Sequence, residues 1–479
     1  MAERSGWLLP ALCLVAALTG MRLLALAWGQ TDLFVDESQY WLWAQNLDSG
    51  YYSKPPLIAW LIRGVTTLAG SDAVFWVRMP GAVLHGGTAL ILGALAARIF
   101  GAMTALWVVA SYLTAPFVAL GSLLISTDTI MLPCFALGLW AYFKVCDTGR
   151  LRFGVLTGVG FGLGVMAKYV AVFGPLGVGL AALLYPRWRI GWRMLGVIAA
   201  VFVVVIAPNI IWNLRHDLTT VSHTMDNAGW VRGPSLWAHL NLGSMAGFFA
   251  AQFAVLGPIM FGALLIGLLR PEGARTRQLA LFVAPVVVLF CVQALMLRAY
   301  ANWGVVAYAA GSVIAVRVLL TRWPRGLWLS LWVNGVVCVL LPLLTVLAPM
   351  PVFGDKPLLA RYLGRAALSH QILDLAQAQG AVAVLAQDRD VLADLFYTGR
   401  DTTMPIYAPR PTGRPRSYYE QQFPLPIDLP GPILFITTEG PICAGQPLAA
   451  VARLDTQGGA YARRDYRAYL VGDMCRDAL

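Results

Sequence analysis

The chain has 479 residues, of which 58% are hydrophobic and only 12% are charged, and its mean hydropathy is +0.67. A soluble domain rarely has such a composition, because it needs charged residues to solvate its surface. The formal net charge of +11 does not indicate nucleic-acid binding, since the basic residues form short clusters between long apolar runs and no single basic face or tail. Composition therefore predicts a polytopic membrane protein.

Apolar stretches that approach the roughly 20 residues of a transmembrane helix recur along the chain. The eleven predicted spans are 7–29, 76–97, 102–120, 124–143, 153–167, 169–185, 194–212, 244–269, 278–297, 301–319 and 326–347. The shorter stretch Pro55–Gly70 predicts an interfacial or re-entrant helix. Arg4 and the tripeptide Ala25-Leu26-Ala27 resemble the ends of a cleaved signal peptide, but the length of the run and Arg22 within it favour a retained first span.

The charges between the spans predict the orientation of the chain. With the N-terminus in the cytoplasm, every inner loop is basic, and the basic residues are Arg98, Lys144, Arg150, Arg152, Arg187, Arg189, Arg193, Arg270, Arg275, Arg277, Arg317, Arg322 and Arg325. The opposite loops carry Asp32, Asp36, Glu37, Asp48, Asp72, Asp128, Asp217 and Asp226. Since inner loops are enriched in Lys and Arg, we expect a multi-pass protein of the cytoplasmic membrane whose C-terminal domain is periplasmic.

The composition changes at about residue 350, and the tail 350–479 holds 13 of the 24 acidic residues. Two apolar runs predict buried strands and two longer patterns predict helices; the strands are Ala381–Leu385 and Ile433–Thr437, and the helices are 358–379 and 390–397. The predicted fold is an all-α transmembrane domain, 1–349, with an outer loop at 30–75, followed by a small α/β domain. Cys443 and Cys475 in that domain are either a disulfide or two unrelated thiols.

The first outer loop carries adjacent carboxylates, Asp36 and Glu37, beside the aromatic residues Tyr40, Trp41 and Trp43. A carboxylate near a low-dielectric boundary is costly, so it tends to be paired or functional. One interpretation is a general base for catalysis. The other is a solvated loop whose aromatic residues form an interfacial belt.

A second motif follows at Gly50, where Tyr51, Tyr52 and Ser53 lead into Lys54-Pro55-Pro56. The two prolines fix the backbone and end an extended segment before a helix. Lys54 is one of only four lysines, against 31 arginines, and it could bind a phosphate at the interface. The alternative is a lysine whose stem anchors the loop at the membrane surface.

Further polar residues lie in the predicted outer loops, and each alone is typical of an interfacial anchor or a helix cap. They are Asp128, Lys168, Arg215, His216, Arg298, Asn302 and Trp303. Together they place cations and carboxylates at one membrane face. Such a face suits a lipid-linked sugar phosphate, because cations stabilise a leaving phosphate and a carboxylate takes the proton of the attacking hydroxyl. Attack opposite the phosphate would invert the anomeric centre.

At these residues the chain resembles a known family. Asp36-Glu37 with Tyr40, Gly50-Tyr51 and Lys54 to Trp60 are similar to motifs of bacterial glycosyltransferases related to protein O-mannosyltransferases and to the lipid A aminoarabinose transferase, of the GT-C class. The resemblance continues at Ser126-Thr127-Asp128, Met166 to Tyr169, Pro208 to Asn213, His216-Asp217 and Asn302-Trp303, and weakly at Arg414-Pro415-Arg416 and Tyr418.

The resemblance implies an inverting transfer from a polyprenyl-phosphate sugar at the outer face. By motif match it implies that Asp36 is the catalytic base or its partner, that Asp128 is a second catalytic carboxylate and that Glu37 positions the acceptor or a metal. Lys54 matches the phosphate-binding position, where many relatives have histidine. We expect the donor phosphate at Lys54, Lys168, Arg215 and Arg298, and substrate contacts from Tyr40, Tyr51, Tyr52, His216, Asn302 and Trp303. A Mg or Mn ion at Asp36, Glu37 and Asp128 is left open.

Two rival classes remain at this point. A secondary transporter would show repeated halves and ionisable residues inside its spans, whereas the acidic residues here lie mainly outside the predicted spans. A lipid-linked glycan ligase or flippase would not predict the Asp-Glu and Lys-Pro-Pro motifs. The expected partners are therefore a polyprenyl-phosphate sugar, membrane lipids and a lipid, glycan or protein acceptor, and no nucleic acid. The sugar and the acceptor stay open.

Overall fold

The computed structural model describes residues 6–185, 188, 190–230, 240–443, 445–456 and 459–478. Arg187 and Arg189 of the predicted inner loops lie outside these residues. The chain folds into two compact units. The first unit comprises Met1–Ala27, Asp48–Val65 and Arg78–Leu343, and the second comprises Trp28–Leu47, Thr66–Val77 and Leu344–Leu479. The second unit therefore combines the tail with two short segments from the N-terminal part of the chain.

The first unit is helical in its described residues. The helices that lie wholly or mostly in it are α1 Leu8–Trp28, α3 Leu57–Ala69, α4 Val74–Phe100, α5 Ala102–Thr114, α6 Pro116–Gly121, α7 Thr127–Thr148, α8 Leu151–Ala167, α9 Phe173–Leu184, α10 Trp192–Arg215, α11 Thr219–Ala228, α12 Leu242–Leu256, α13 Pro258–Leu269, α14 Gly273–Ala280, α15 Ala284–Met296, α16 Ala307–Arg322 and α17 Pro324–Leu347. Short 3₁₀ turns at Tyr169–Val172 and Ala301–Val306 precede α9 and α16.

Among the described residues, seven helical segments are long and apolar enough to cross a membrane: Leu8–Trp28, Val74–Phe100, Thr127–Thr148, Trp192–Arg215, Gly273–Met296, Ala301–Arg322 and Pro324–Leu347. The predicted spans at 102–120, 153–167 and 169–185 also contain helices, but these are shorter. Pro55–Gly70 contains the helix Leu57–Ala69, and its place in the membrane stays a prediction. The protein is thus a polytopic, mostly helical membrane protein, as the sequence predicts.

The predicted span 244–269 is sharply bent in the structure. The stretch 244–269 forms α12 and α13, which bend by 114° at their junction. Gly257 lies at the bend with a φ of 97°, which a residue with a side chain rarely adopts. Pro258 follows as the first residue of α13, where its missing N–H costs no helical hydrogen bond. The Gly-Pro dipeptide therefore ends one helix and begins the next.

Small residues and one buried arginine hold the helices of the first unit together. A Cβ added to Gly160 of α8 would lie 2.4 Å from the backbone nitrogen of Gly138 in α7, so the two helices depend on glycine for their close approach. Arg22 of α1 is fully buried and donates to the carbonyl oxygen of Leu113 at 2.5 Å and to Sγ of Cys338 at 3.4 Å. The first helix is therefore a packed member of the bundle.

Loops that the alternation of spans assigns to the cytoplasmic face meet at one end of this unit. Asp147, in the last turn of α7, accepts hydrogen bonds from Arg98 at 2.7 Å and from Arg275. Glu272, before α14, accepts one from Arg322 at 2.6 Å. The helix ends predicted to lie on one side of the membrane are therefore neighbours, and the side itself stays a prediction.

The second unit is an α/β domain. Its described helices are α2 Val35–Gln45, α18 Arg365–Ala378, α19 Arg389–Thr398 and α20 Tyr418–Gln422, and its strands are β1 Val352–Phe353, β2 Lys356–Pro357, β3 Ala383–Ala386, β4 Ile406–Tyr407, β5 Ile433–Thr437, β6 Ile442–Cys443, β7 Gln446–Pro447, β8 Ala452–Arg453 and β9 Arg467–Val471. The five-stranded sheet has the order β4-β3-β5-β9-β8, with β3 parallel to β4 and β5 and β9 antiparallel to β5 and β8. The α/β character predicted for the tail is confirmed.

The segment 28–47 is tied to the tail within this unit. The backbone N–H of Asp32 donates to the carbonyl oxygen of Tyr362 at 2.9 Å, and the carboxylate of Asp32 accepts from the backbone N–H of Arg365 at 2.8 Å. Helix α2 packs on α19. Cys443 and Cys475 form a disulfide with their Cα atoms 5.1 Å apart, which decides the alternative left open by the sequence.

Candidate active site

A hydrogen-bonded loop, residues 48–54, presents Lys54 in the first unit. The indole Nε1 of Trp212 donates to the carboxylate of Asp48 at 2.6 Å. The amide of Asn209 donates to the carbonyl oxygen of Ser49 at 2.8 Å. Both partners lie in the last two turns of α10, so the motif between Pro208 and Asn213 holds this loop in place.

Close packing in the same loop explains its glycine and its two tyrosines. A Cβ on Gly50 would lie 2.4 Å from the ring of Trp212. Tyr51 is buried and its carbonyl oxygen accepts from the hydroxyl of Thr220 at 2.6 Å. Tyr52 is also buried, with its ring 4.9 Å from that of His223. The tyrosines therefore fix the loop, and their predicted substrate contacts stay a prediction.

Lys54 and Lys168 line one cavity of about 430 Å³ in the first unit. Its walls are largely apolar, and the apolar lining includes Phe173, Leu289, Phe290, Val292, Met296 and Trp303. Two cations in a largely apolar cavity suit a ligand that joins an anionic group to a hydrocarbon part. Trp303 was predicted as a substrate contact, and it lies in this wall.

A buried ion pair positions Lys168. Its ammonium lies 2.8 Å from each carboxylate oxygen of Asp128, and the amide of Asn302 donates to one of these oxygens at 3.3 Å. The two charged side chains are only 14% and 15% exposed. Ser126 rather than Asp128 caps α7, because its hydroxyl accepts the N–H of Thr129. An ammonium has three N–H donors, so at least one of those on Lys168 is left for a ligand in the cavity.

Two predicted phosphate-binding arginines and one predicted substrate-binding histidine lie outside the lining of this cavity. Of the described residues, its lining contains none of Arg215, His216 and Arg298. Arg215 and His216 are exposed at the end of α10, where the His216 ring stacks on Trp212 at 4.1 Å. Arg298 donates to the carbonyl oxygen of Asn227 at 3.1 Å. Their predicted roles stay predictions, and the structure gives His216 and Arg298 each a local structural contact.

Several lining residues were missed by sequence reasoning. His223, Thr224 and Asn227 belong to α11, and the spacing of four residues between His223 and Asn227 places them on one face of that helix. Gln293 lines the cavity from α15 and accepts from the indole of Trp230 at 2.9 Å. A polar residue inside an apolar span signals such a site.

In the second unit, the two carboxylates of the first motif point in different directions. Glu37 is buried, and its carboxylate accepts the backbone N–H of Phe34 at 2.9 Å, which caps α2. Asp36 is 48% exposed. The catalytic assignment of both stays a prediction, and exposure favours Asp36 as the residue that meets a substrate. Tyr40, on the same helix, is buried with its ring 5.3 Å from that of Trp43.

Arg389 of α19 contacts Asp36, and sequence reasoning missed it. One terminal nitrogen, Nη2, donates to Oδ1 of Asp36 at 2.6 Å and to the amide oxygen of Gln39 at 2.9 Å, and Nε donates to the same amide oxygen at 3.1 Å. Burial lowers the pKa of Arg389, but the carboxylate of Asp36 raises it and the net shift is upward, so the guanidinium stays charged.

A metal site does not form from the predicted ligands. Among the described residues, no group of three or more His, Cys, Asp or Glu side chains is arranged to hold a metal ion. Asp36 and Glu37 belong to the second unit and Asp128 to the first. Asp128 is already bonded to Lys168. The reaction proposed below therefore assigns no role to Mg or Mn.

Comparison with known proteins gives consistent results. Residues 53–212 match the profile of the dolichyl-phosphate-mannose-protein mannosyltransferase family. The chain is 42% identical over 481 residues to the lipid A galacturonosyltransferase RgtD of Rhizobium johnstonii, with 99% of each protein covered. It is 25% identical to the lipopolysaccharide core galacturonosyltransferase RgtA of the same organism, over 48% of this chain and 47% of that protein.

The fold also has a solved counterpart. The crystal structure of ArnT from Cupriavidus metallidurans bound to undecaprenyl phosphate superposes with a TM-score of 0.65 at 14% sequence identity, covering 97% of this chain and 98% of that one. At this identity the likeness shows the fold alone.

The profile match covers both lysines of the cavity and the ion pair of Asp128, and the relative at 42% identity extends over nearly the whole chain. The resemblance expected from the motifs is confirmed, and the transporter interpretation is set aside. The chain is a multi-pass membrane glycosyltransferase, and it belongs to the dolichyl-phosphate-mannose-protein mannosyltransferase family.

Proposed function

We propose that this enzyme transfers galacturonic acid from a polyprenyl-phosphate donor to lipid A, with inversion at the anomeric carbon, on the outer face of the cytoplasmic membrane. The sugar and the acceptor follow from the relative at 42% identity, a lipid A galacturonosyltransferase. The donor class follows from the cavity that Lys54 and Lys168 share.

That shared cavity is the observation that carries the proposal. A polyprenyl phosphate joins a hydrocarbon chain to an anion, and the cavity offers apolar walls together with two ammonium groups. The isoprenoid lies along the apolar wall, and the phosphate binds Lys54 and Lys168. Asp128 and Asn302 hold the ammonium of Lys168 so that its direction is set before the donor arrives.

The reaction is a displacement at the anomeric carbon. A lipid A hydroxyl attacks this carbon from the side opposite the phosphate, and its proton passes to the carboxylate of Asp36. The bond between the anomeric carbon and the phosphate oxygen breaks, and polyprenyl phosphate leaves with an additional negative charge. Lys54 and Lys168 stabilise that charge as it develops. We assign the base to Asp36 because of its motif and its 48% exposure.

Two features support the outer face as the place of transfer. The loops that carry Asp36, Lys54, Asp128 and Lys168 are those opposite the basic loops, which positive-inside topology assigns to the cytoplasm. The disulfide between Cys443 and Cys475 suits an oxidising compartment such as the periplasm.

The test uses the full-length protein reconstituted in lipid vesicles with undecaprenyl-phosphate galacturonic acid and purified lipid A. We expect mass spectrometry to show lipid A carrying one additional hexuronic acid and an equal amount of undecaprenyl phosphate. We expect the product's anomeric configuration, read by NMR, to be opposite to that of the donor. Lipid A that stays unmodified under these conditions would overturn the proposal, and retention of configuration would overturn direct displacement.

A further inference from the structure

The second unit has a cavity of its own. Its volume is about 530 Å³, which lies within the range of small-molecule sites, and all of its lining residues belong to the second unit. Helix α2, the end of α19 and strand β4 all contribute to the lining. The lining includes Trp41, Asp72, Phe396, Arg400, Asp401 and Tyr407.

This lining combines aromatic rings with charged groups of both signs. A hydrocarbon chain would leave the charged groups without polar partners, and a phosphate would meet the carboxylates of Asp72 and Asp401 beside the single cation of Arg400. A saccharide fits both features of the lining. Its C–H faces pack on aromatic rings, and its hydroxyl groups donate to carboxylates and accept from an arginine.

Two of the charged residues keep hydrogen-bonding groups for a ligand. Arg400 donates through Nη1 to the carbonyl oxygen of Tyr397 at 2.8 Å, and its Nε lies 3.7 Å from the carboxylate of Asp401. No acceptor among the described parts of the chain bonds to its Nη2, which carries two N–H groups. The backbone oxygen of Asp72 accepts from the hydroxyl of Tyr397 at 2.7 Å, while its carboxylate accepts no hydrogen bond from the residues that the structure describes.

The cavity lies along the same pair of helices as the proposed base. Asp36 of α2 pairs with Arg389 of α19 at 2.6 Å. Further along both helices, the ring of Trp41 lies 5.1 Å from that of Tyr397, so α2 and α19 run in the same direction. At 1.5 Å per residue, Trp41 and Gln45 of the lining are about 8 and 14 Å from Asp36 along α2. A ligand that reaches from the cavity to the base is therefore longer than one sugar ring.

We propose that this cavity binds one sugar of the lipid A acceptor while the hydroxyl of a neighbouring sugar meets Asp36. This inference rests on the proposed function, from which it takes the acceptor and the base, and it names the site that holds the acceptor. Arg400 and Asp72 bind hydroxyl groups of the sugar in the cavity, and the aromatic rings pack on its C–H face. The second unit therefore selects an acceptor with at least two sugars.

A purely structural role of these residues makes a different prediction. Arg400 bonds to Tyr397, so its loss could loosen the end of α19 and slow transfer to every acceptor. Recognition of the acceptor instead raises KM for an acceptor whose second sugar fills the cavity. It leaves KM for an acceptor with a single sugar unchanged.

The experiment uses the full-length enzyme with saturating undecaprenyl-phosphate galacturonic acid, and it measures kcat and KM for two acceptors. These are lipid A and an acylated glucosamine monosaccharide. For Arg400→Gln we expect KM for lipid A to rise about 10-fold, the effect of losing a partly exposed hydrogen bond to a charged group. For Asp72→Asn, which keeps the shape and one oxygen, we expect a smaller rise. We expect KM for the monosaccharide to stay at the wild-type value in both variants.

A matched control lies at the opposite edge of the five-stranded sheet. The strand order is β4-β3-β5-β9-β8, so β8 is the edge strand across the sheet from β4 of the lining. Arg453 of β8 pairs with Asp465 at 2.7 Å. Arg453→Gln removes an arginine and an ion pair from the same unit without touching the cavity. We expect this variant to keep wild-type kinetics with both acceptors.

A binding measurement tests the same contact without turnover. Calorimetry with the full-length protein, no donor and the de-acylated glucosamine disaccharide gives the affinity of the site for the sugars alone. We expect Arg400→Gln to bind this disaccharide about 10-fold more weakly than Arg453→Gln does. Equal binding by the two variants would contradict the inference.

The outcomes separate the inference from the proposed function. A wild-type enzyme that transfers no sugar to lipid A would overturn the proposed function, and the binding measurement would still decide whether the cavity holds a saccharide. An unchanged KM for lipid A in Arg400→Gln, or an equal rise for both acceptors, would overturn only the inference. If Arg400→Gln does not fold, Asp72→Asn decides by the same two measurements.

Discussion

Replacing Lys168 by methionine tests the donor site directly, because methionine keeps an apolar stem and removes the ammonium. A hydrogen bond to a charged group contributes about 1.5–3 kcal/mol. The side chain of Lys168 is only 14% exposed, so water screens it little, but Asp128 already uses part of its donor capacity. We therefore expect a loss of about 2 kcal/mol in transition-state binding, or roughly 30-fold in kcat/KM for the donor.

The same substitution also affects folding, and a second change separates the two effects. Lys168→Met leaves the carboxylate of Asp128, 15% exposed, without its cation, which destabilises the fold by about 1–3 kcal/mol. Adding Asp128→Asn removes that charge. We expect the double variant to recover most of the thermal stability and none of the donor use, because the phosphate still lacks the ammonium.

The assay compares initial rates at varied donor concentration for the wild type, Lys168→Met and the double variant. Lys144→Met is the matched control, because Lys144 is a lysine of α7 in a predicted inner loop and lies beside the ring of Trp140 instead of the cavity. We expect this control to match the wild type. Full donor use by a folded Lys168→Met variant would refute the assignment of this cavity to the donor phosphate.

Three further predictions follow from single contacts. Asp36→Asn should lower kcat by about 10²–10⁴-fold while donor binding, measured with radiolabelled donor, stays normal; near-normal turnover would remove Asp36 from the mechanism. Gly50→Ala should lower the melting temperature at a cost of about 1–3 kcal/mol, because its Cβ would lie 2.4 Å from Trp212; an unchanged transition would contradict that close packing. Cys443→Ser should destabilise the tail by about 3 kcal/mol, and reductant should abolish the difference from wild type if Cys475 is its partner.

The membrane helices could be predicted from the sequence because the bilayer imposes a length and a composition on each span. Each predicted stretch contains one or two helices in the structure. The bend between α12 and α13 was missed, although Gly257-Pro258 is a dipeptide that interrupts helices. This dipeptide was a local signal for a break, but the continuous apolar run around it predicted a single span.

The partners of the site residues could not be predicted in the same way. Lys168 and Asp128 are 40 positions apart, and Arg389 and Asp36 are 353 apart, so only the tertiary fold brings each pair together. The contact of Glu37, in contrast, is local. Its carboxylate accepts the backbone N–H of Phe34, three positions earlier, and caps the helix. The sequence interpretation assigned a functional role to both Asp36 and Glu37 because the two carboxylates are adjacent.

The proposed reaction also gives a reason for the kind of cation at each position. The chain has few lysines and many arginines, yet two lysines line the cavity and an arginine contacts Asp36. A lysine ammonium is a compact point charge with rotatable donors, which suits a phosphate whose charge and geometry change as it leaves. An arginine is a rigid fork with a permanent charge, and it holds a carboxylate, here that of Asp36, in a fixed direction. Replacing Lys168 by arginine should therefore lower the rate of transfer although the positive charge is kept, because the rigid fork cannot follow the leaving phosphate.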